Sequence, residues 1–501
     1  MTLIRHAPAE ATLFTWGLGL ALILGLAGCT TLSPEAQTAA LVARAETAMG
    51  SAALKTLTVT GRGSGASVGQ AYAPGLAWPG LQLTALSRSM NFETASFREE
   101  FIRSRSEPLG GGAVPLMGSG EARGVVLARE SFAWDVAGIA TVSAPAALPQ
   151  RVHDLWLGTP QAAIKAALRV GARAGVRRDF LRRWDTLSMD MPGQFSATLV
   201  LEDTGLISRI ESTVPHAVLG SMPVVTRFTD YRPHGGLMLP SRIVQDQGGF
   251  AALDISVTDV LANEAVEITI PDNVRAATET VSVDKVADGV WFLGGGTHHS
   301  VAIEVASQIV LVELPLHEGR ARAVLDAANK LVDGKKATTV INTHHHFDHA
   351  GGLRVAAAEG AIIFTSALAK PYFEAVLAQP QMHASAAAAL SDRKPTFIAV
   401  DSKTVLMDTD RPVEIHALQG SLHARGLLMV WLPREQLLIE ADAYTPGAPE
   451  APPPEVPNAN HLNLVQNLDR LGLAPRLILP LQGRVVPAAD LYAQVGRKPL
   501  P

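Results

Sequence analysis

Apolar and polar positions alternate through much of the front half of the chain, while the rear half carries apolar runs between helical stripes. Residues 33–49 are Ala-rich with Pro34 and Glu35 at the start, a pattern that predicts an amphipathic helix with Pro in its first turn. Runs at 57–61, 97–104 and 124–128 predict strands, although Phe97, Phe101 and Ile102 interrupt the alternation of the second. A helix is predicted from Thr159 to Gly171. Thr159 caps it, Pro160 takes the first position, and Ala163, Ile164, Ala167 and Leu168 form the apolar stripe. A meander follows: 196–201 and 206–213 flank a turn ending in Gly205, 224–231 and 237–245 flank one containing Gly235-Gly236, and 252–260 is a further strand. Strands joined in sequence by short turns require an antiparallel sheet.

The polar connector at 271–280 sets the boundary between the halves. Beyond it, 281–293 predicts a hairpin around Asp288-Gly289 and 300–312 a strand pair entering the core. Residues 318–332 predict a helix with Ala321, Leu325, Ala328 and Leu331 on one stripe and Gly334 at its stop. The β-branched run at 337–342 is the next strand, and a strand–helix–strand order favours a parallel pair in a mixed sheet. Strands are also predicted at 427–432 and 436–440.

At 501 residues the chain is too long for one ordinary core, and 47% hydrophobic with 18% charged residues describes a globular protein. A net charge of −5 without a basic block gives nucleic-acid binding no electrostatic support. The one cysteine, Cys29, ends an apolar run at 13–28 that follows Arg5 and His6 and has the make-up of a signal-peptide core. Leu26-Ala27-Gly28-Cys29 resembles a bacterial lipobox. That resemblance implies a signal peptide at 1–28, lipidation of Cys29 as the first mature residue, and membrane attachment of a periplasm-facing lipoprotein. Thr30 in place of Asp points, by the same likeness, to the outer membrane. A plain secretion signal or an uncleaved anchor is the alternative.

The chemistry concentrates in Thr343-His344-His345-His346-Phe347-Asp348-His349, whose six residues from His344 to His349 hold four imidazoles and one carboxylate directly after a predicted strand. Imidazole nitrogen and carboxylate oxygen are the usual donors to zinc and related divalent ions. His344 and His346, two apart in extended backbone, point the same way and His345 points away. Asp348 and His349 follow where the chain turns and can aim at a second point nearby. Gly351-Gly352 then marks a loop before the Ala-rich stretch at 353–359.

His344-x-His346-x-Asp348-His349 resembles the HxHxDH signature of the metallo-β-lactamase-fold hydrolases, a likeness that covers 281–501. It implies an αβ/βα sandwich with metals at the sheet edge. The expected fold class is therefore α/β plus α+β: that sandwich at 281–501, preceded at 29–275 by an antiparallel β-rich domain with helices. The order of elements in the front domain, with the phrase FTDYRPHGGLMLP, resembles the half-barrel of the lipoprotein-carrier families.

Two metals need further donors, and His383, His416, His423, Asp442, His461 and Gln482 are the downstream candidates. His423 lies in a Gly-containing turn just before a strand and is the expected third ligand with His344 and His346. His416 belongs inside a strand. By the family likeness Asp442 bridges both metals, with Ala441 replacing the family's Gly, while His349 and Asp348 serve the second. The likeness places a His where Gln482 stands; an amide oxygen is a weaker, neutral donor. One tightly bound Zn2+ and a weak or absent second are expected, with iron or manganese also compatible with the donors. His461 is by default a helix start that could swing in. His298 and His299 are given a substrate-side role or none.

Zinc lowers the pKa of bound water to about 7. The expected activity is hydrolysis of an ester, thioester, amide or phosphoester, β-lactams included, with Asp348 as the catalytic carboxylate acting on a small molecule. The rival reading is a lipid- or lipoprotein-binding module with a decayed metal domain. Fold alone does not fix the substrate.

Overall fold

A computed structural model describes residues 32–106, 121–178, 182–379, 395–408, 411–449 and 452–498. Cys29, the signal segment and His383 lie outside the described residues. Among the described residues, no helix is long and apolar enough to cross a membrane.

The front half is one antiparallel sheet, thirteen strands wide among the described residues. Six strands, from Thr56–Ala66 to Ala140–Ser143, pair with their sequence neighbours, and seven more, from Arg173–Arg178 to Phe250–Ala262, do the same. The first strand of the one run pairs with the last of the other, Val59 opposite Val260, which joins the two meanders into a single surface. Three helices cover one face: Pro34–Met49, Leu148–Leu157 and Pro160–Val170. Ser33 caps the first by accepting from the Ala36 amide at 3.2 Å, and Thr159 caps the third by accepting from Ala162 at 3.2 Å. Their stripes, including Leu41, Ala45, Ile164 and Ala167, share a core with Leu57, Leu86, Leu199 and Ile255 from the sheet.

Several strands here were not predicted. Gly80–Asn91 shifts register between Leu83 and Ala85, and the bulge breaks the alternation that would have marked it. Arg173–Arg178 is nearly all exposed, so it has no apolar face to read. After the last strand, Ile268, Ile270 and Val274 pack back on Leu127 and Trp134 of the front sheet. The first rear strand, Ser282–Ala287, begins beyond them.

The rear half is a four-layer sandwich. A seven-stranded sheet and a six-stranded sheet, as described, face each other. Ile309–Val312 shows why. Val310 and Val312 lie in the core between the sheets with Val430 and Ile439, whereas Ile309 and Leu311 lie in a second core with Val324, Leu353 and Phe373 from the helices outside. A strand covered on both faces must be apolar throughout. Leu464, Val465 and Leu468 of Ala459–Leu471 close the opposite side against Met429, Leu438 and Ile478. Ile309–Val312 and Ala337–Ile341 pair in parallel across the helix Glu318–Ala328. That helix ends short of the predicted residue 332, because the Asn329 side chain accepts the Ala337 amide at 2.8 Å and turns the chain towards its strand.

The halves meet through the loop at 67–79, between the first two front strands. Its Tyr72 carbonyl accepts from the Arg425 amide at 2.7 Å, and the Tyr72 hydroxyl donates to Ser421 O at 3.0 Å. Phe347, from the histidine-rich segment, sits edge-on between Trp78 and His216 of the front half. Gly69 permits this approach: at φ +84°, any Cβ there would lie 2.4 Å from the Phe347 ring.

Candidate metal centre

The strand Ala337–Ile341 delivers Asn342 to His346 into the rim of the sandwich, and a short helix, Phe347–Ala350, makes the turn that carries Asp348 and His349. Gly351 and Gly352 let this turn lie against the preceding strand's exit, since a Cβ on either would meet the carbonyl of Leu316 or Leu314 at 1.9 and 2.5 Å. His423 arrives on the loop before Leu428–Leu432, and Asp442 on the end of Leu437–Glu440, held at a left-handed φ of 61°. Such a backbone state in a non-glycine residue is uncommon and concentrates at functional sites.

Those segments bring His344, His346, His423 and Asp442 to one point, their donor atoms within 4.8 Å of one another and all four residues buried. His344 Nε2 and His346 Nδ1 are 3.0 Å apart, His423 Nε2 lies 3.0 Å from His346 Nδ1, and Asp442 Oδ2 lies 3.0 Å from His423 Nε2. Three imidazole nitrogens facing inwards cannot all be satisfied by one another, because an inward proton on one excludes a proton on the next. Burial, and then the charge of His349, pushes His344 down to about 3 in spite of Asp442. Burial also holds His346 well below its ordinary value, so both rings stay neutral. The separations approach the edge of a tetrahedron, roughly 3.3 Å, built on zinc–nitrogen distances of about 2.0–2.1 Å. The donor set therefore fits a divalent cation.

A second cluster adjoins the first through Asp442, whose Oδ2 is 2.8 Å from His349 Nε2. It gathers His298, Asp348 and His349. Burial works to lower His349, but Glu313, Asp442 and Asp348 outweigh it and raise the ring well above its usual value, so the surroundings call for positive charge. Burial raises Asp348, and the His349 charge with the His298 hydrogen bond more than offsets it, leaving the carboxyl well below its usual range. Asp348 Oδ1 accepts from Gln70 Nε2 at 2.8 Å.

Outside the donors stands a set of groups that fix the rings. Glu313, fully buried, accepts from His349 Nδ1 at 2.7 Å and from the Thr343 hydroxyl. The Ala71 carbonyl of the front-half loop accepts from His346 Nε2 at 2.9 Å and from His345 Nε2 at 2.7 Å. His345 thus points away from the cluster, and His346 has its proton fixed on the nitrogen remote from it.

Of the other candidates, His416 lies in its strand beside Glu414 at 2.8 Å. His461 starts a helix with its ring edge-on to Tyr444, 4.8 Å between centroids, and belongs to neither cluster. Gln482 does reach the second cluster, its Nε2 lying 3.3 Å from His349 Nε2. Sequence reasoning set His298 aside, yet its Nε2 is 3.3 Å from Asp348 Oδ2. Its position on a strand-end loop was the available signal. It also missed Glu313, although a single acid between the apolar runs IVLV and LPL marks a buried charge with a task.

Residues 293–482 match the family model of the metallo-β-lactamase superfamily, and this region of the chain is a domain of that fold. Among solved structures, the chain is similar to a metallo-β-lactamase from Pontibacter korlensis, with 14% identity over 43% of this chain and 98% of that one and a TM-score of 0.34. It is similar to a metallo-β-lactamase from Hirschia baltica, with 16% identity over 43% and 97% and a TM-score of 0.33. Rubredoxin oxygen:oxidoreductase from Desulfovibrio gigas also matches, with 18% identity over 41% of this chain and 57% of that one and a TM-score of 0.32. No curated protein matches the chain.

Proposed function

We propose that the protein is a metal-dependent hydrolase, with zinc as the resident ion and an ester, thioester, amide or phosphoester as substrate. The observation that carries this reading is the buried convergence of His344, His346, His423 and Asp442. His344, His346 and His423 would hold one ion, and Asp348, His349 and Asp442 would serve a second. When bound, a divalent ion supplies Lewis acidity at this point.

The protein's own residues then divide the remaining work. Asp348 has a side chain 29% exposed, the most open of the cluster's donors, and faces what enters. Gln70 donates to Oδ1 and the His298 ring stands 3.3 Å from Oδ2, which fixes the carboxylate where it would orient an attacking water and take its proton. The buried imidazoles keep bulk water from the inner side of the site, so charge developing on a substrate oxygen is poorly screened there. Lipidation of Cys29 would place this hydrolase at the periplasmic face of the outer membrane. The front sheet with its three packed helices would then stand between anchor and site, in keeping with a carrier-like half-barrel.

A panel of esters, thioesters, amides, phosphoesters and β-lactams, run beside elemental analysis, tests the reading. Partners behind a ligand are already worth about 10–100-fold, so His346→Ala should cost more than about 100-fold in turnover. Activity untouched by that substitution, or a protein that takes up no metal, would return the chain to the binding-module reading.

A further inference from the structure

The second cluster has a feature that neither the HxHxDH motif nor Gln482 accounts for. His298 enters it from the loop between Val290–Gly294 and Ser300–Glu304. We propose that His298 is a metal ligand of the second site, filling the imidazole position that Gln482 leaves open, so that the protein binds two divalent ions per chain. This rests on the metal-dependent reading above and extends it.

Three observations place the ring. First, its backbone is tied beside Gln482: the His299 amide donates to Leu481 O at 2.8 Å. The buried Arg320 donates to the carbonyls of Thr280, at 2.7 Å, and of His298, at 3.4 Å, which locks the loop from behind. Second, Nδ1 has a partner outside the cluster. It lies 2.8 Å from the Thr297 hydroxyl, and in the tautomer that keeps its proton on Nδ1, Nε2 presents a lone pair to the cluster. Third, Nε2 meets donors and not bulk solvent. It is 3.3 Å from Asp348 Oδ2 and 2.7 Å from Gln482 Nε2, and the ring stands 4.9 Å from that of His349. His298 is 7% exposed, so an imidazole has been buried among carboxylate and imidazole donors where an apolar side chain would have packed without loss.

Gln482 then has a different part from the one its position implies. Its amide bridges His298 and His349 at 2.7 and 3.3 Å and spaces the two rings. Imidazole nitrogen is a better donor to zinc than an amide oxygen, so the second site need not be weak.

The test is zinc stoichiometry of the full-length protein, loaded with Zn2+ alone, freed of excess and measured by elemental analysis. About two ions per chain are expected for the wild type and about one for His298→Ala, with Gln482→Ala staying near two. Thr297→Val is the second variant: it leaves the imidazole in place but removes the Nδ1 partner. It should weaken one of the two zinc ions by about 10-fold in competition with a chelator, and it carries the test where His298→Ala does not fold. A wild type with two ions and His298→Ala also with two, or both with one, would overturn the assignment while leaving the first site intact. An unchanged affinity in Thr297→Val would overturn it as well. A wild type that binds no zinc would instead overturn the metal-dependent reading beneath it.

Discussion

The two donor clusters share Asp442 and differ in almost everything else. The first is three imidazoles and one carboxylate, all buried, with donors from three strand ends of the rear half. The second is richer in carboxylate, and it has an open edge at Asp348. Their supports differ too. His346 is oriented by Ala71, a backbone carbonyl of the front half, whereas His349 is oriented by Glu313 from the neighbouring strand exit of its own half. Nitrogen-rich, closed sites favour tight retention of a borderline ion such as zinc, while an oxygen-rich, open site is where water and substrate can approach. On the proposed function the difference separates holding from reacting, and through Ala71 it ties the first cluster to a part of the chain outside the superfamily match at 293–482.

The largest effect should come from the shared oxygen. Asp442→Asn keeps the side-chain shape and tolerates the left-handed φ of 61°, yet it removes the charge that both clusters use. Zinc content is expected to fall towards zero, whereas His423→Ala should empty only the first cluster. Elemental analysis of the two variants side by side checks this. Equal losses would mean that the clusters are one cooperative unit and that the contrast drawn between them is false.

Next comes the loop from the front half. Gly69→Ala adds a methyl 2.4 Å from the Phe347 ring at a φ that disfavours any side chain. The loop at 67–79 should lift, and the Ala71 carbonyl with it. Chelator competition should then show the first cluster's zinc weakened by about 10–100-fold, the range for partners behind a ligand. A normal first-site affinity in a variant whose fluorescence reports a displaced Trp78 would remove the front half from the metal centre.

Much of the rear half was legible in the chain because its signals are local. Thr343 to Gly352 declares its donors within ten residues, and the turns before His423 and Asp442 each sit at a strand end that periodicity marks. The front sheet was legible where alternation is regular, as in Gly220–His234, and lost where a bulge or an exposed edge interrupts it, as in Gly80–Asn91 and Arg173–Arg178. What could not be read are contacts made across long sequence separation. Ala71 reaches His346 with a carbonyl, which no residue type announces. His298 and Gln482 are adjacent because Leu481 O accepts from the His299 amide, a pairing that only the assembled sandwich brings about.

The finest test of the contrast lies behind the second cluster. Glu313 is fully buried at a left-handed φ of 63°, and its two oxygens serve Thr343 and His349. Gln at this position keeps an acceptor for His349 Nδ1 and nearly the same shape, so the ring should stay in place. What it loses is a full negative charge behind the imidazole, which makes His349 a poorer donor at Nε2. Burial of a carboxylate beside a ring is strong because little solvent screens it, and its removal should weaken the second ion by about 10-fold. Glu313 reaches the first cluster only indirectly, through the Thr343 hydroxyl that lies 2.9 Å from His344 Nδ1, so the zinc there should be weakened less than the second. Competition with a graded chelator reads both affinities in one titration of Glu313→Gln. Equal weakening at both steps would show that the charge acts on the whole centre, through Thr343 and His344 as well as His349; weakening mainly at the second step would show that each cluster answers chiefly to its own support.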